Sequence, residues 1–118
     1  MTQIKFGTDG WRAIIGEDFT FANLDRAAQA TADFWTAHPP DGAAKTVVIG
    51  YDRRFLSDQF GRRVAEVFAG NAFQAILSDC PAPTPSVSIA VKRLKAVGGV
   101  MITASHNPAI FNGYKLKA

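Results

Sequence analysis

The sequence of 118 residues contains a single cysteine, Cys80, which excludes an intrachain disulfide and any zinc site built from several thiolates. No apolar run approaches the ~18 residues that a membrane span requires. Residues 1–10 lack the basic segment and apolar core of a secretory leader. A soluble cytoplasmic protein without a membrane partner is the expectation. Charge of one sign is scarce as well: 13 Lys plus Arg stand against 10 Asp plus Glu, a net +3. With no basic run interleaved with aromatics, that balance argues against a nucleic-acid surface and still permits an anionic small-molecule ligand. Disorder is excluded by 47% hydrophobic and only 19% charged residues, enough to bury roughly two-thirds of the unfolded surface in one domain over residues 1–118.

Taken in order, residues 4–6 read as a brief strand stopped by Gly7, and Ile14-Ile15-Gly16 as a further short strand or hairpin edge. From about Asn23 to residue 37, Leu24, Ala28, Ala32 and Trp35 form one helical stripe. Thr31 falls inside it and can bond back to a carbonyl one turn earlier. The helix must end before Pro39-Pro40, leaving His38 as a solvated helix end. Residues 46–51, β-branched without polar alternation, read as a strand covered on both faces. Ser57 is the expected cap of a helix over 58–69 that Gly70-Asn71 closes with a left-handed residue.

Residues 73–77 predict a third strand, and Thr84-Pro85 a capped helix start, with Val87, Ala90, Val91 and Leu94 inward. Lys92, Arg93 and Lys95 then lie outward, near the negative end of the helix dipole. Gly98-Gly99 precedes a fourth strand over 100–103, and Asn112-Gly113 signals a turn from which 114–117 can return as a further strand, with an antiparallel course open to it. Alternating strands and helices with short connections predict an α/β fold: a three-layer α/β/α domain with a mainly parallel, mixed sheet of four to five strands.

Three loops concentrate the chemistry. Gly7-Thr8-Asp9-Gly10-Trp11-Arg12 combines glycines with a guanidinium suited to two parallel bonds to a phosphate or carboxylate. A tight turn holding an Asp9–Arg12 pair explains the same residues. Asp52-Arg53-Arg54 exits a strand, where open α/β sheets bind their ligands. Thr103-Ala104-Ser105-His106-Asn107-Pro108 precedes Asn112-Gly113-Tyr114-Lys115. Ser105 beside His106 is not by adjacency a catalytic pair, because neighbours in an extended segment point to opposite sides.

Together, in this order and spacing, Phe6-Gly7-Thr8-Asp9-Gly10-Trp11-Arg12, Gly50-Tyr51-Asp52-Arg53-Arg54 and the Ser105 loop with its Lys115 sequel make the chain resemble the N-terminal domain of the α-D-phosphohexomutases. The resemblance covers essentially the whole sequence. It implies that Ser105 is a phosphorylated serine exchanging its phosphoryl group with a hexose monophosphate through a bisphosphate intermediate. It implies acid/base work for His106 and Lys115, Arg12 beside the transferring phosphate, and loop-shaping or substrate contact for Thr8, Asp9, Asn107 and Pro108. Asp52 and Arg54 are read as support of the serine loop ahead of substrate contact.

It further implies Mg²⁺, with one ligand from the phosphate on Ser105. No Asp-x-Asp-x-Asp run is present, so firm binding to this chain alone is not expected. The metal-binding, sugar-binding and phosphate-binding domains of a full mutase are expected partners outside the sequence, and the fragment alone is expected to be inactive. Ala13 stands where many relatives have glycine, and Ala109-Ile110-Phe111 is more apolar than usual. A stand-alone domain of the same fold that binds a phosphate ligand or a protein without catalysis is the alternative.

Overall fold

The computed structural model describes Ile4 and residues 10–117. The strand expected over residues 4–6, and the Thr8 and Asp9 readings, lie outside the described residues apart from Ile4, which is not in a strand. The elements follow as β1 (Trp11–Ile14), α1 (Phe21–Ala37), β2 (Ala44–Tyr51), α2 (Ser57–Gly70), β3 (Gln74–Leu77), α3 (Thr84–Leu94), β4 (Ala96–Ile102) and β5 (Phe111–Lys117). They build a five-stranded sheet in the order β1-β5-β4-β2-β3. β2 runs parallel to β3 and β4, while β5 runs antiparallel to both β4 and β1. The sheet is therefore mixed, with its parallel half on one side and its antiparallel half on the other.

Strand alternation sorts the two faces. Val47, Ile49, Val100, Ile102 and Tyr114 join the residues of α1 and α2 in the larger core. Val48 and Met101 turn the other way and pack with Val87 and Val91 of α3. β2 and β4 are covered on both faces, which is why they read as continuous apolar runs without alternation.

Local departures from the sequence reading have identifiable causes. Gly98-Gly99 lies inside β4 instead of preceding it. A Cβ on Gly98 would press on the Trp35 ring, and one on Gly99 would come 2.7 Å from Val87 Cγ1 and 2.9 Å from Val91 Cγ2. Both glycines let a helix approach the strand closely. Asn112-Gly113 is likewise within a strand, and the reversal is made earlier, through residues 105–110.

Ser57 does not cap α2: Leu56 is the capping residue, with φ 63°, and it makes no side-chain cap bond. The Ser57 hydroxyl is instead buried and donates to the Asp52 carboxylate at 2.7 Å, a charge-assisted bond stronger than a neutral cap. The left-handed residue after α2 is Ala72, at φ 66°, and not Gly70-Asn71. Asn71 closes the helix with its own amide, donating to Val67 O at 2.8 Å. At α3 the cap is Pro83 and Thr84 is already helical. Leu94, expected inward, is 46% exposed, because Lys95 turns left-handed and ends the helix there.

Candidate functional site

The site lies where β2 and β4 end side by side, with Tyr51 paired to Ile102. The Asp52 N–H donates to Ile102 O at 3.1 Å, so the two exit loops leave the sheet together. β5 returns beside β4, and its register places Lys115 opposite Met101 and Gly113 opposite Arg12 of β1. Lys115 is two residues beyond Gly113, so it shares the sheet face that carries Arg12. Gly10, at φ 96°, makes this approach possible, since a Cβ there would run into the Tyr114 carbonyl.

Ser105 is exposed on its loop in the left-handed region, at φ 55°. For a non-glycine residue this conformation is uncommon, and it persists only when the surroundings hold it. Here they do so from three sides. The Ser105 N–H donates to Thr103 Oγ1 at 3.1 Å, its carbonyl accepts from Arg54 Nη2 at 2.7 Å, and its Oγ accepts from Lys115 Nζ at 2.7 Å. The hydroxyl oxygen is thus presented outward, with an ammonium against it.

Arg54 is the clamp of this loop. Nη1 donates to Pro108 O at 2.8 Å and to Phe111 O at 3.1 Å, while Nη2 donates to Ser105 O and Asn107 O, each at 2.7 Å. Its Nε lies 3.4 Å from Asp52 Oδ2, with the Arg54 side chain only 14% exposed. Asp52 Oδ1 accepts from the Arg54 N–H at 2.9 Å and from Ser57 Oγ at 2.7 Å. Arg12 Nη1 donates to Asn107 Oδ1 at 2.9 Å, tying β1 to the same loop.

Lys115, Arg12, Asn107, Asp52 and Arg54 are therefore gathered around Ser105. His106 is exposed on the adjacent position, and the group meeting Ser105 Oγ among the described residues is Lys115. A hollow of about 370 Å³ lined by Asp52, Arg53, Arg54, Asn107 and Ala109 opens beside the loop. Among the described residues no three His, Cys, Asp or Glu side chains converge. Sequence reasoning assigned Ser57 to a cap and Asn112 to a turn; the structure instead links them, Asn112 Nδ2 donating to Ser57 Oγ at 2.8 Å in the buried interior. The bond spans 55 positions, and no local pattern announces it.

Residues 3–118 match the family described as phosphoglucomutase/phosphomannomutase, alpha/beta/alpha domain I. The chain is 44% identical over 117 residues to a protein named as a probable phosphoribomutase from Schizosaccharomyces pombe, covering 97% of this chain and 20% of that protein. It is 40% identical over 116 residues to a phosphoglucomutase of Staphylococcus saprophyticus, covering 96% of this chain and 20% of that one. A crystal structure carried under the name phosphomannomutase, from Thermus thermophilus, superposes with a TM-score of 0.90 at 45% identity, covering 97% of this chain and 25% of the other. The chain thus spans about one fifth of the length of these curated relatives.

Proposed function

Because the chain belongs to the phosphoglucomutase/phosphomannomutase family, as its α/β/α domain I, we propose that Ser105 is the phosphoryl carrier of a mutase interconverting hexose 1-phosphate and hexose 6-phosphate. The observation that carries this reading is the outward Ser105 Oγ, held in a left-handed turn with Lys115 Nζ at 2.7 Å. Phosphoryl transfer depends on alignment and charge neutralisation more than on covalent chemistry by the protein. A serine fixed from three sides beside a cation is suited to it.

In the forward step the bond from Ser105 Oγ to phosphorus breaks as a bond from a sugar hydroxyl oxygen to phosphorus forms. The sugar hydroxyl loses its proton, and Ser105 Oγ gains one. Lys115, already donating to Oγ, supplies that proton and recovers it when the serine is rephosphorylated. His106, exposed beside Ser105, is the candidate to take the proton of the sugar hydroxyl. Arg12, tied to Asn107, adds positive charge to the face on which the phosphate would lie. Rephosphorylation from the other end of the bisphosphate completes the exchange. Mg²⁺ would add charge neutralisation at the phosphate, held mainly by oxygens from the remainder of a longer protein.

The test is Ser105→Ala in a full-length protein carrying this domain. Interconversion of glucose or mannose phosphates should fall to background, and the phosphoserine should vanish from the mass spectrum. Unchanged turnover would overturn the assignment. The similarity to a protein named as a phosphoribomutase favours a second reading, in which the sugar is a pentose phosphate. Comparing kcat/KM for pentose and hexose phosphates in the same protein decides between them.

A further inference from the structure

A continuous hydrogen-bonded chain runs behind the serine loop. Asn112 Nδ2 donates to Ser57 Oγ at 2.8 Å, Ser57 Oγ donates to Asp52 Oδ1 at 2.7 Å, and Asp52 Oδ2 faces Arg54 Nε at 3.4 Å. From Arg54 it reaches the carbonyls of Ser105, Asn107, Pro108 and Phe111. Its inner members are fully buried, with Ser57 and Asn112 both at 0% exposure. Burial of two polar side chains is costly unless each finds partners. Here each does. Asn112 Oδ1 also accepts from the Gly113 N–H at 2.8 Å, and Ser57 Oγ both accepts and donates.

The two ends of this network are what matter. Asn112 lies on β5 three residues before Lys115, while Arg54 holds the carbonyl of Ser105. The nucleophile loop and the strand bearing its proton partner are therefore referenced to one buried network. We propose that Ser57 and Asn112 are positioning residues for phosphoryl transfer: through Asp52 and Arg54 they fix Ser105 relative to Lys115. The inference rests on the mutase reading of Ser105 only for its kinetic consequence. Its geometric content, a loop held in register with β5, stands apart from the substrate.

The experiment uses the full-length protein with Ser57→Ala, Asn112→Asp and the two combined. Turnover is measured by kcat and KM, and backbone amide exchange is followed at Ser105 and Asn107. A reacting oxygen displaced by about 1 Å costs on the order of 100-fold. The expected result is a loss in kcat of roughly 10- to 100-fold for each single variant, with KM within about two-fold. The combined variant should lose little more than the worse single one, because both act through one network. Amide exchange at Ser105 and Asn107 should quicken about tenfold, as expected when a restraint on local opening is removed.

Ser57→Cys, which keeps the side chain's shape and buries no charge, still tests the idea if Ser57→Ala or Asn112→Asp does not fold. A variant with a lowered Tm but unchanged kcat and unchanged loop exchange overturns the proposal, because the network would then be structural only. If the unsubstituted protein interconverts no sugar phosphate, the mutase reading fails instead, and loop exchange alone decides whether Ser57 and Asn112 position Ser105.

Discussion

Arg54 directs its guanidinium at main-chain oxygens from Ser105 to Phe111, and this is a task lysine cannot repeat. An ammonium has no planar fork and cannot place donors on carbonyls spread over such a turn. With the side chain 14% exposed, water does not readily replace the lost bonds. Arg54→Lys should destabilise the fold by about 2 kcal/mol, in line with hydrogen bonds from a charged donor. The midpoint shift in urea unfolding measures it.

Tyr114 gives a pH-dependent counterpart. Its hydroxyl donates to Thr31 Oγ1 at 2.9 Å inside the core, and burial raises its pKa well above the ordinary phenol value. A raised folded pKa means that the unfolded chain releases this proton first. The stabilisation is fully present below pH ~10 and is lost as pH rises from there through the folded pKa. The expected decline is up to about 1.4 kcal/mol per pH unit. Tyr114→Phe should flatten that decline in denaturant titrations above pH ~10; an unaltered slope would contradict the assignment. That Ser105, Arg12 and Lys115 carry conspicuous chemistry was legible at this scale, because each sits in a short motif, and the fold brings Lys115 against Ser105 and Arg12 against Asn107 of the same loop. The side chains that Asp52 and Asn112 engage were not, because contacts at long sequence separation leave no trace in local pattern.

The helices and strands were legible wherever apolar spacing exceeded about two turns or ran unbroken through a buried strand. The stripe Leu24, Ala28, Ala32 is buried in α1, and Thr31 Oγ1 does donate back to Ala27 O at 2.8 Å. Element ends were less legible, since hydrogen bonds compete there on nearly equal terms. The exit of α2 shows how. Once the Asn71 side chain takes Val67 O, the left-handed turn passes to Ala72, at φ 66°. An alanine there is strained by roughly 1 kcal/mol relative to glycine. Ala72→Gly should therefore raise stability by about 0.5 kcal/mol, part of the relief being offset by the greater freedom of glycine in the unfolded chain. Chemical denaturation resolves this, and a loss of stability would show that the Ala72 methyl is holding the turn.

At the scale of the whole molecule, alternating strands and helices indicated an α/β sheet, whereas the order β1-β5-β4-β2-β3 could not be read from local signals. That order decides what the domain presents. It sets the exits of β2 and β4 side by side and brings Arg12 and Lys115 to the edge of the same loop. The result is one surface that carries Ser105, the cations of Arg12, Arg54 and Lys115, and an open hollow. Among the described residues there is no acidic cluster to hold Mg²⁺, and a divalent cation of this kind needs several oxygens in near-octahedral array.

On the proposed mutase reading, residues 1–118 alone should interconvert no sugar phosphate, while the full-length protein should do so with Mg²⁺. Chelation should reduce that turnover by at least about 100-fold, given the several kcal/mol of transition-state charge stabilisation a bound cation supplies. Added Mg²⁺ should restore it. Coupled-enzyme assays of both proteins, with and without chelator, measure each outcome. Turnover by the isolated 118-residue chain at the full-length rate would overturn that expectation.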